Sequence, residues 1–564
     1  MALGVSGASS TKRYMINVAL GLAVLSASAW LVATFSGNPE VNSLPLFALS
    51  TLARIFITLL ISIAWGVPFG IFAATNKTAS LIITPIVDLL QSIPILGYFP
   101  LVIGFLFAMG PFGIELSVIV LLFTSMAWAI FFGVLGAVRG IPTNVAEASR
   151  SFGLTGWKYT RHVVLPAITP ALISGANLAW SDGWFFMIAA EYIQYKGSVV
   201  SPMSGGVGYL LARAAYYYKD MNLALVLLLF TTLLVVVINT LTWHKLMGRT
   251  GGGTYKPIFN TGLSGVGMLG SRRVTGWMHF GRLHLPRSFS LASQRLRRYS
   301  KYEKYIALLT VFLIVVFVLA SEYEHLPSLE FISQSLDQPP AGELVNLPML
   351  ILLTMGRLSV AYGISLLVAI ALGVLAAEHK RLASIIYPIY DIGQGVPILA
   401  LFPVLYLGLS GFLGNLRLAL EVTCIIMLVL DMIWYMFINI TSAVKTIPSE
   451  MKEVGQLFGF KGLKRVTHLI IPSILPAIVT GSILSWGTGW NTIIFSEYLP
   501  STESTAEAVS IPGIGSLLDK AGYTYGNTVV LVIILVVMST IVLSMEGLIW
   551  RRLLKRFEKF HVEV

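Results

Sequence analysis

The sequence predicts an all-α polytopic membrane protein, with twelve transmembrane helices in two parallel six-helix units. Three observations lead there. Hydrophobic residues make up 56% of the chain and charged residues only 11%, whereas soluble domains carry about 25% charge. Apolar runs long enough to cross a bilayer recur along the whole length. The second half also repeats the first at collinear Pro, Gly, Trp and charged residues.

A span needs about 20 mostly apolar residues. That criterion places helices near 15–35, 47–73, 82–108, 114–138, 166–190 and 222–244, and again near 304–321, 347–376, 384–409, 416–443, 472–495 and 528–549. The first run follows Lys12 and Arg13 and imitates a signal peptide, but the repeat counts it as a helix. Orientation follows from Lys and Arg. The stretch from Lys245 to Lys304 carries Arg249, Lys256, Arg272, Arg273, Arg282, Arg287, Arg295, Arg297, Arg298 and Lys301, with Glu303 its one acid. The tail carries Arg551, Arg552, Lys555, Arg556 and Lys559. Both belong on the cytoplasmic side. The loop from Ser321 to Asn346, with five acids and no Lys or Arg, belongs on the other. Both termini are then cytoplasmic, and the units are parallel repeats rather than inverted ones. The net charge of +12 sits in these loops, so it marks orientation and not a nucleic-acid surface. Cys424 is the single cysteine, which excludes an internal disulfide and a cysteine metal cluster.

The repeat is read from rare residues. An offset of 303 puts Arg54 on Arg357, Gly70 on Gly373, Asp88 on Asp391, Gln91 on Gln394 and Pro94 on Pro397. An offset of 306 puts Pro142 on Pro448, Glu147 on Glu453, Gly153 on Gly459, Pro166 on Pro472, Trp180 on Trp486 and Glu191 on Glu497. Shared hydrophobicity would align Leu, Val and Ile, not these. Duplication gives a first unit over 1–249, a basic linker over 250–302 and a second unit over 303–564. The linker is rich in Gly, Ser and Arg and suits contact with anionic lipid headgroups.

Between the fourth and fifth spans of each unit lies a segment too polar for the membrane. It reads IPTNVAEASRSFGLTGWKYTRHVVLP from Ile141 and IPSEMKEVGQLFGFKGLKRVTHLIIP from Ile447. Thr143 or Ser449 is a candidate N-cap, and the short helix would run to Gly153 or Gly459, which can end it. The segment resembles the EAA loop of binding-protein-dependent ABC importer permeases. Glu147, Ala148 and Ser149 precede Gly153; Glu453, Val454 and Gly455 precede Gly459. The third position departs from the family pattern in both copies, and the second position also departs in the later copy. The stretches LLQSIPILGYFPLVIGF and IGQGVPILALFPVLYLG resemble the nitrate, sulfonate and taurine branch.

The resemblance implies two type I permease units and a short helix that sits in a cleft of a separate ATPase. It implies ATPase-coupling roles for Glu147, Ala148, Gly153, Glu453 and Gly459. It further implies two ATPase copies, an extracytoplasmic solute-binding protein, a small anionic solute, and a location in the cell membrane. ATP and magnesium would be bound by the ATPase, and no cofactor by this chain. Consistent with that, the chain has no G-x-x-x-x-G-K-[ST] phosphate loop and no large hydrophilic block for a catalytic domain. Two other readings stand beside the importer. One is a secondary transporter built from parallel repeats, and the other is a membrane receptor or scaffold that moves nothing.

Ionisable residues inside spans are costly and face partners or cavities. Depth makes Arg54–Glu191 and Arg357–Glu497 plausible structural pairs, the favoured reading, with attraction of an anion into a pathway as the alternative. Asp88, Gln91, Asp391 and Gln394 precede Pro94 and Pro397, which interrupt helical hydrogen bonding; such breaks line solute sites in transporters or act as packed kinks. Asp182 matches Thr488, Phe185 matches Asn491 and Asn177 matches Ile483, so the fusion presents unlike halves. Asp182 is a candidate pathway residue, or else a buried acid bonded locally.

Overall fold

In a computed structural model, the described residues are 39–243 and 329–557, apart from 196–197, 219 and 500–508, with 26, 30 and 246 as isolated positions. The expected spans at 15–35 and 304–321, the linker at 250–302 and both termini lie outside them. Every long element is helical. The first half runs α1 (Leu44–Thr75), α2 (Lys77–Ser92), α3 (Ile95–Phe107), α4 (Gly110–Arg139), α5 (Thr143–Ser151), α6 (Gly156–Tyr159), α7 (Leu165–Glu191), α8 (Val207–Ala212) and α9 (Met221–Leu241). The second half runs α10 (Leu329–Asp337), α11 (Leu347–Glu378), α12 (Lys380–Gly395), α13 (Ile398–Leu413), α14 (Leu416–Thr446), α15 (Ser449–Leu457), α16 (Gly462–Arg465), α17 (Ile471–Ser496), α18 (Ile514–Asp519), α19 (Thr528–Met545) and α20 (Arg551–Phe557). Two small antiparallel hairpins, Ile193–Tyr195 with Ser198–Val200 and Tyr498–Leu499 with Val509–Ser510, follow α7 and α17.

Among the described residues, seven helices are long and apolar enough to cross a membrane, and α3 and α13 are shorter apolar helices. Five of the twelve expected spans are not among these seven: two lie outside the described residues, two are divided, and α14 is the fifth. The runs 82–108 and 384–409 are each divided: α2 stops at Ser92 and α3 starts after Pro94, while α12 stops at Gly395 and α13 starts after Pro397. Proline has no N–H to continue the ladder and forces the residue before it out of the helical region; Ile93 is extended at φ −79°, ψ 126°. The helix α14 is 31 residues long and places Arg417, Glu421 and Lys445 toward its ends and Asp431 at its middle.

Helix starts are set by side chains that accept a free backbone N–H. Asn76 caps α2 through Thr78 and Ala79, Asp220 caps α9 through Leu223, Asn415 caps α14 through Leu418, and Asn527 caps α19 through Val530. Asp220 and Asn527 are equivalent positions, so the device is duplicated too.

Each half packs α1 on α4 on α7, or α11 on α14 on α17. Small residues bring these helices close, the usual route to tight association where lipid removes the hydrophobic drive. A Cβ on Gly70 would lie 2.9 Å from Val134 Cγ1, and one on Gly373 would lie 2.8 Å from Ile440 Cγ2. The halves also interlock. The half-helix α3 packs against α17 and α19 of the second half, and α13 packs against α7 and α9 of the first. One continuous core therefore holds residues of both halves, including Leu96, Phe99, Ile494 and Leu535.

Gly70→Leu should overpack the α1–α4 contact and destabilise the protein by about 1–3 kcal/mol. Gly136→Leu, at a glycine with no atom within 4 Å of an added Cβ, should stay within about 0.5 kcal/mol. Thermal unfolding of both variants in the same detergent checks the pair; equal losses would contradict the packing account.

Candidate coupling helices, terminal clasps and inter-half contacts

The two short helices α5 and α15 form alike. Pro142 and Pro448 occupy the N-cap position, with backbones in the extended region. Proline suits a helix start because its missing N–H would be unsatisfied there anyway. Thr143 and Ser449 are already the first helical residues, and no side-chain cap bond forms. This corrects the expectation that they cap the helix. At the other end the helices stop at Ser151 and Leu457, two residues before the predicted glycines. Gly153 at φ +73° and Gly459 at φ +74° take the left-handed conformation that glycine alone adopts without strain. Leu154 N–H donates to Ser149 carbonyl and Gly153 N–H to Arg150 carbonyl, each at 2.9 Å; Phe460 to Gly455 and Gly459 to Gln456 repeat both at 2.9 Å. This paired closure is a Schellman motif.

The third motif position now has a physical reason to be small. Ser149 and Gly455 are the buried residues of their helices. A Cβ on Gly455 would stand 2.9 Å from Leu469 Cδ2. Glu147, Ala148 and Glu453 are exposed. Beside them stand exposed apolar side chains, Phe152 at 83% and Trp157 at 71% in the first copy, Leu457 at 87% and Phe458 at 74% in the second. A polar helix flanked by such uncovered groups has the composition of a contact surface.

At the opposite end of the bundle each half carries a clasp. Thr51 and Arg54 lie one turn apart on α1, and Glu191 ends α7. Arg54 Nη1 donates to Glu191 Oε1 at 2.8 Å and to the Gly205 carbonyl at 2.5 Å. Its Nε and Nη2 donate to the two Glu115 oxygens at 2.9 and 2.8 Å, the bidentate geometry that makes such pairs strong. Nη2 also donates to Ser204 Oγ at 2.7 Å. All five guanidinium N–H groups are thus engaged by the protein. Thr51 Oγ1 donates to Glu191 Oε1 at 2.7 Å and accepts from Val207 N–H at 3.0 Å, while Gly208 N–H donates to Glu191 Oε2 at 2.8 Å.

The second half repeats this. Arg357 Nη1 donates to Glu497 at 2.7 Å and to the Pro512 carbonyl at 2.9 Å, and Nε and Nη2 donate to Glu421 at 2.7 and 2.9 Å. Thr354 Oγ1 donates to Glu497 at 2.7 Å and accepts from Ile514 N–H at 3.0 Å. Gly515 and Ser516 N–H donate to Glu497 Oε2 at 2.9 and 3.2 Å. Glu191 and Glu497 are 1% and 0% exposed, so these carboxylates depend wholly on protein donors. An added Cβ on Gly206 or Gly513 would fall 2.1 Å from the glutamate oxygen. The glycines are there for space, since both backbones are extended. The structure therefore joins the predicted Arg54–Glu191 and Arg357–Glu497 pairs. Reasoning from sequence missed Thr51, Glu115, Thr354 and Glu421. The offsets of 303 and 306 would have matched them.

The remaining candidates lie outside the clasps. Asp182 on α7 accepts from Tyr435 Oη of the second half at 3.4 Å. Asp431, also overlooked, accepts from Thr492 at 2.9 Å and is 3% exposed. Asn491 Oδ1 accepts the Ile95 N–H at 2.7 Å, capping α3 across the interface, and Tyr523 Oη donates to the Leu96 carbonyl at 2.9 Å. Asp88 and Gln91 sit on α2 before its break, with Gln91 exposed, and Asp391 and Gln394 hold the matching places on α12.

Two duplicated helical halves, interlocked through broken helices and each displaying a short helix at one end, define a multi-pass membrane permease. The chain belongs to the family described as binding-protein-dependent transport system inner membrane component, which matches it twice, over residues 66–243 and 369–555. A putative ABC transporter permease of Methanocaldococcus jannaschii is 25% identical over 226 residues, 38% of this chain and 80% of that protein. The glycine betaine permease OpuAB of Bacillus subtilis is 32% identical, over 28% of this chain and 57% of that protein. The taurine permease TauC of Escherichia coli is 28% identical, over 26% of this chain and 50% of that protein. The bicarbonate permease CmpB of Synechococcus elongatus is 26% identical, over 32% of this chain and 60% of that protein. The chain thus spans between half and two thirds of the length of these last three relatives.

Arg54→Ala strands two carboxylates and should cost about 3–5 kcal/mol, as for other broken buried pairs. Gly206→Ala should weaken the same clasp without removing a charge. Chemical or thermal unfolding in detergent reads both; a native-like midpoint for Arg54→Ala would show that the clasp does not carry stability.

Proposed function

We propose that this chain supplies both membrane-spanning permease units of an ATP-binding cassette importer. A separate cytoplasmic ATPase would drive it, and an extracytoplasmic binding protein would supply its solute. The observation that carries this reading is the pair of matching short helices, α5 and α15, displayed by one chain with exposed apolar residues beside them. A single polypeptide then supplies both docking positions, which calls for two ATPase copies. ATP and its magnesium belong to those partners. With the basic loops on the cytoplasmic side, both termini are cytoplasmic, the clasps lie at the outer face, and the protein resides in the cell membrane.

The mechanism is alternating access. Closure of the ATPase pair draws α5 and α15 together, and the halves rock about the interface where α3 packs on α17 and α19 and α13 on α7 and α9. Glu147, Ala148, Gly153, Glu453 and Gly459 act in coupling through shape. The exposed helix face meets the partner, and the left-handed glycines fix the exit of the chain. Arg54, Glu191, Arg357 and Glu497 act at the outer gate by holding the loops at Gly206 and Gly513. Asp182, with Asp88, Gln91, Asp391 and Gln394, would act in the solute pathway.

The solute is a small anion such as nitrate or a sulfonate. The resemblance of the third helix supports this, and the taurine and bicarbonate named for two relatives fit it. The glycine betaine named for another favours a second reading, a zwitterion bearing an acidic group.

Purified from its native membrane in mild detergent, the chain should bring a Walker-type ATPase at two copies per chain. Gly153→Val with Gly459→Val, which strains both left-handed turns, should abolish that association while the chain stays folded. Folded wild-type chain with no ATPase in several detergents would favour the secondary transporter, and ion-gradient flux would follow. In vesicles reconstituted with the copurified partners, Asp182→Ala should lower solute flux or raise apparent KM about tenfold. Unchanged transport would remove Asp182 from the path.

A further inference from the structure

The two docking helices are not held alike. In the second half, Glu378 ends the long span α11, and its carboxylate joins two other elements. Lys452 Nζ, on docking helix α15, lies 2.9 Å from Oε1, and Arg465 Nη2, at the end of α16, lies 2.6 Å from Oε2. The Glu378 side chain is 15% exposed and its two partners 25%, so the cluster is substantially withdrawn from solvent. Met451, next to Lys452, packs against the cluster that contains Ile440, Ile470 and Ile474. In the first half the equivalent positions are Thr75, Ala146 and Tyr159, and no ion pair can form. Thr75 instead donates to the Ile71 carbonyl of its own helix at 2.8 Å. Val145, the counterpart of Met451, is 42% exposed.

We propose that Glu378 is a positioning residue that locks docking helix α15 to span α11, so that the two halves receive the ATPase stroke unequally. This rests on reading α5 and α15 as docking helices. The second half transmits movement of α15 directly into α11 through a charge-assisted joint. The first half, lacking the joint, has a docking helix that can shift against α1 before the span follows. Ion pairs of this partial exposure contribute modestly to stability, so the expected signature is local stiffness rather than a change in overall folding.

The test uses the full chain in lipid nanodiscs, with amide hydrogen exchange read by mass spectrometry over 143–154 and 449–460. In the wild type, the second segment should exchange at least about threefold more slowly than the first. Glu378→Gln should remove that difference and leave 143–154 unchanged, Lys452→Met should act in the same direction, and Glu378→Asp should restore part of the protection. Thr75→Glu with Ala146→Lys should slow the first segment by installing the missing joint. Equal exchange in the wild type, or no response of 449–460 to Glu378→Gln and Lys452→Met, overturns the proposal. In the complex with its copurified ATPase, Glu378→Gln should reduce solute moved per ATP at least about twofold, with ATP hydrolysis retained; an unchanged ratio overturns the coupling role. Absence of any bound ATPase from the wild type would sink the docking reading itself, while the exchange comparison would still decide the joint.

Discussion

One guanidinium between two carboxylates, built twice, is the constraint on which the rest of each half depends. Arg54 joins α1, α4 and the end of α7 at a single point, and through Glu191 it also holds the backbone of the loop that leads into α8. Arg357 does the same for α11, α14 and α17. These three helices are the ones that pack most extensively in each half. In an apolar surrounding, an unpaired charge is far more costly than in water, so no member of the clasp can leave alone. Opening at that end must move the network as a unit or exchange its partners together.

Away from the clasps, close approach and interruption divide the work. Gly70 and Gly373 let long helices pack tightly and hold each half stiff. The breaks at Pro94 and Pro397 do the opposite: they release half-helices that reach into the other half. Broken backbone at membrane depth is tolerated only where protein or a cavity covers it. Here Asn491 covers the freed Ile95 N–H from across the interface. The same features that weaken a span locally thus join the halves.

Much of this was legible in the sequence because rare residues bear single roles. Prolines marked the breaks and the starts of α5 and α15. Gly153 and Gly459 marked the left-handed turns, and the duplicated Arg and Glu marked the clasp. What stayed hidden has physical reasons. Glu115 and Glu421 sit near the ends of apolar runs, where a single acid looks like an interfacial residue. Thr143 and Ser449 have the chemistry of caps, but the preceding prolines already set the helix start and left them one position inside. Asp431 and Tyr435 have no equivalent in the first half, so a search for repeated residues passes over them, and Asn491 showed only as a mismatch with Phe185, without its contact to the other half. Duplication reveals what both copies need and conceals what only one of them does.

The cross-cap from Asn491 to Ile95 carries a consequence for how the halves came to share one polypeptide. The residue equivalent to Asn491 in the first half is Phe185, which has no group to accept an N–H. Two first halves paired together would leave that amide without its partner, and two second halves would lose Asp182 opposite Tyr435. Pairing of like halves would forfeit one of these two cross-half contacts in each case. Synthesis as one chain delivers one of each at every translation and holds them at high effective concentration. That freedom from mispairing is what permits each copy to drift toward a separate task.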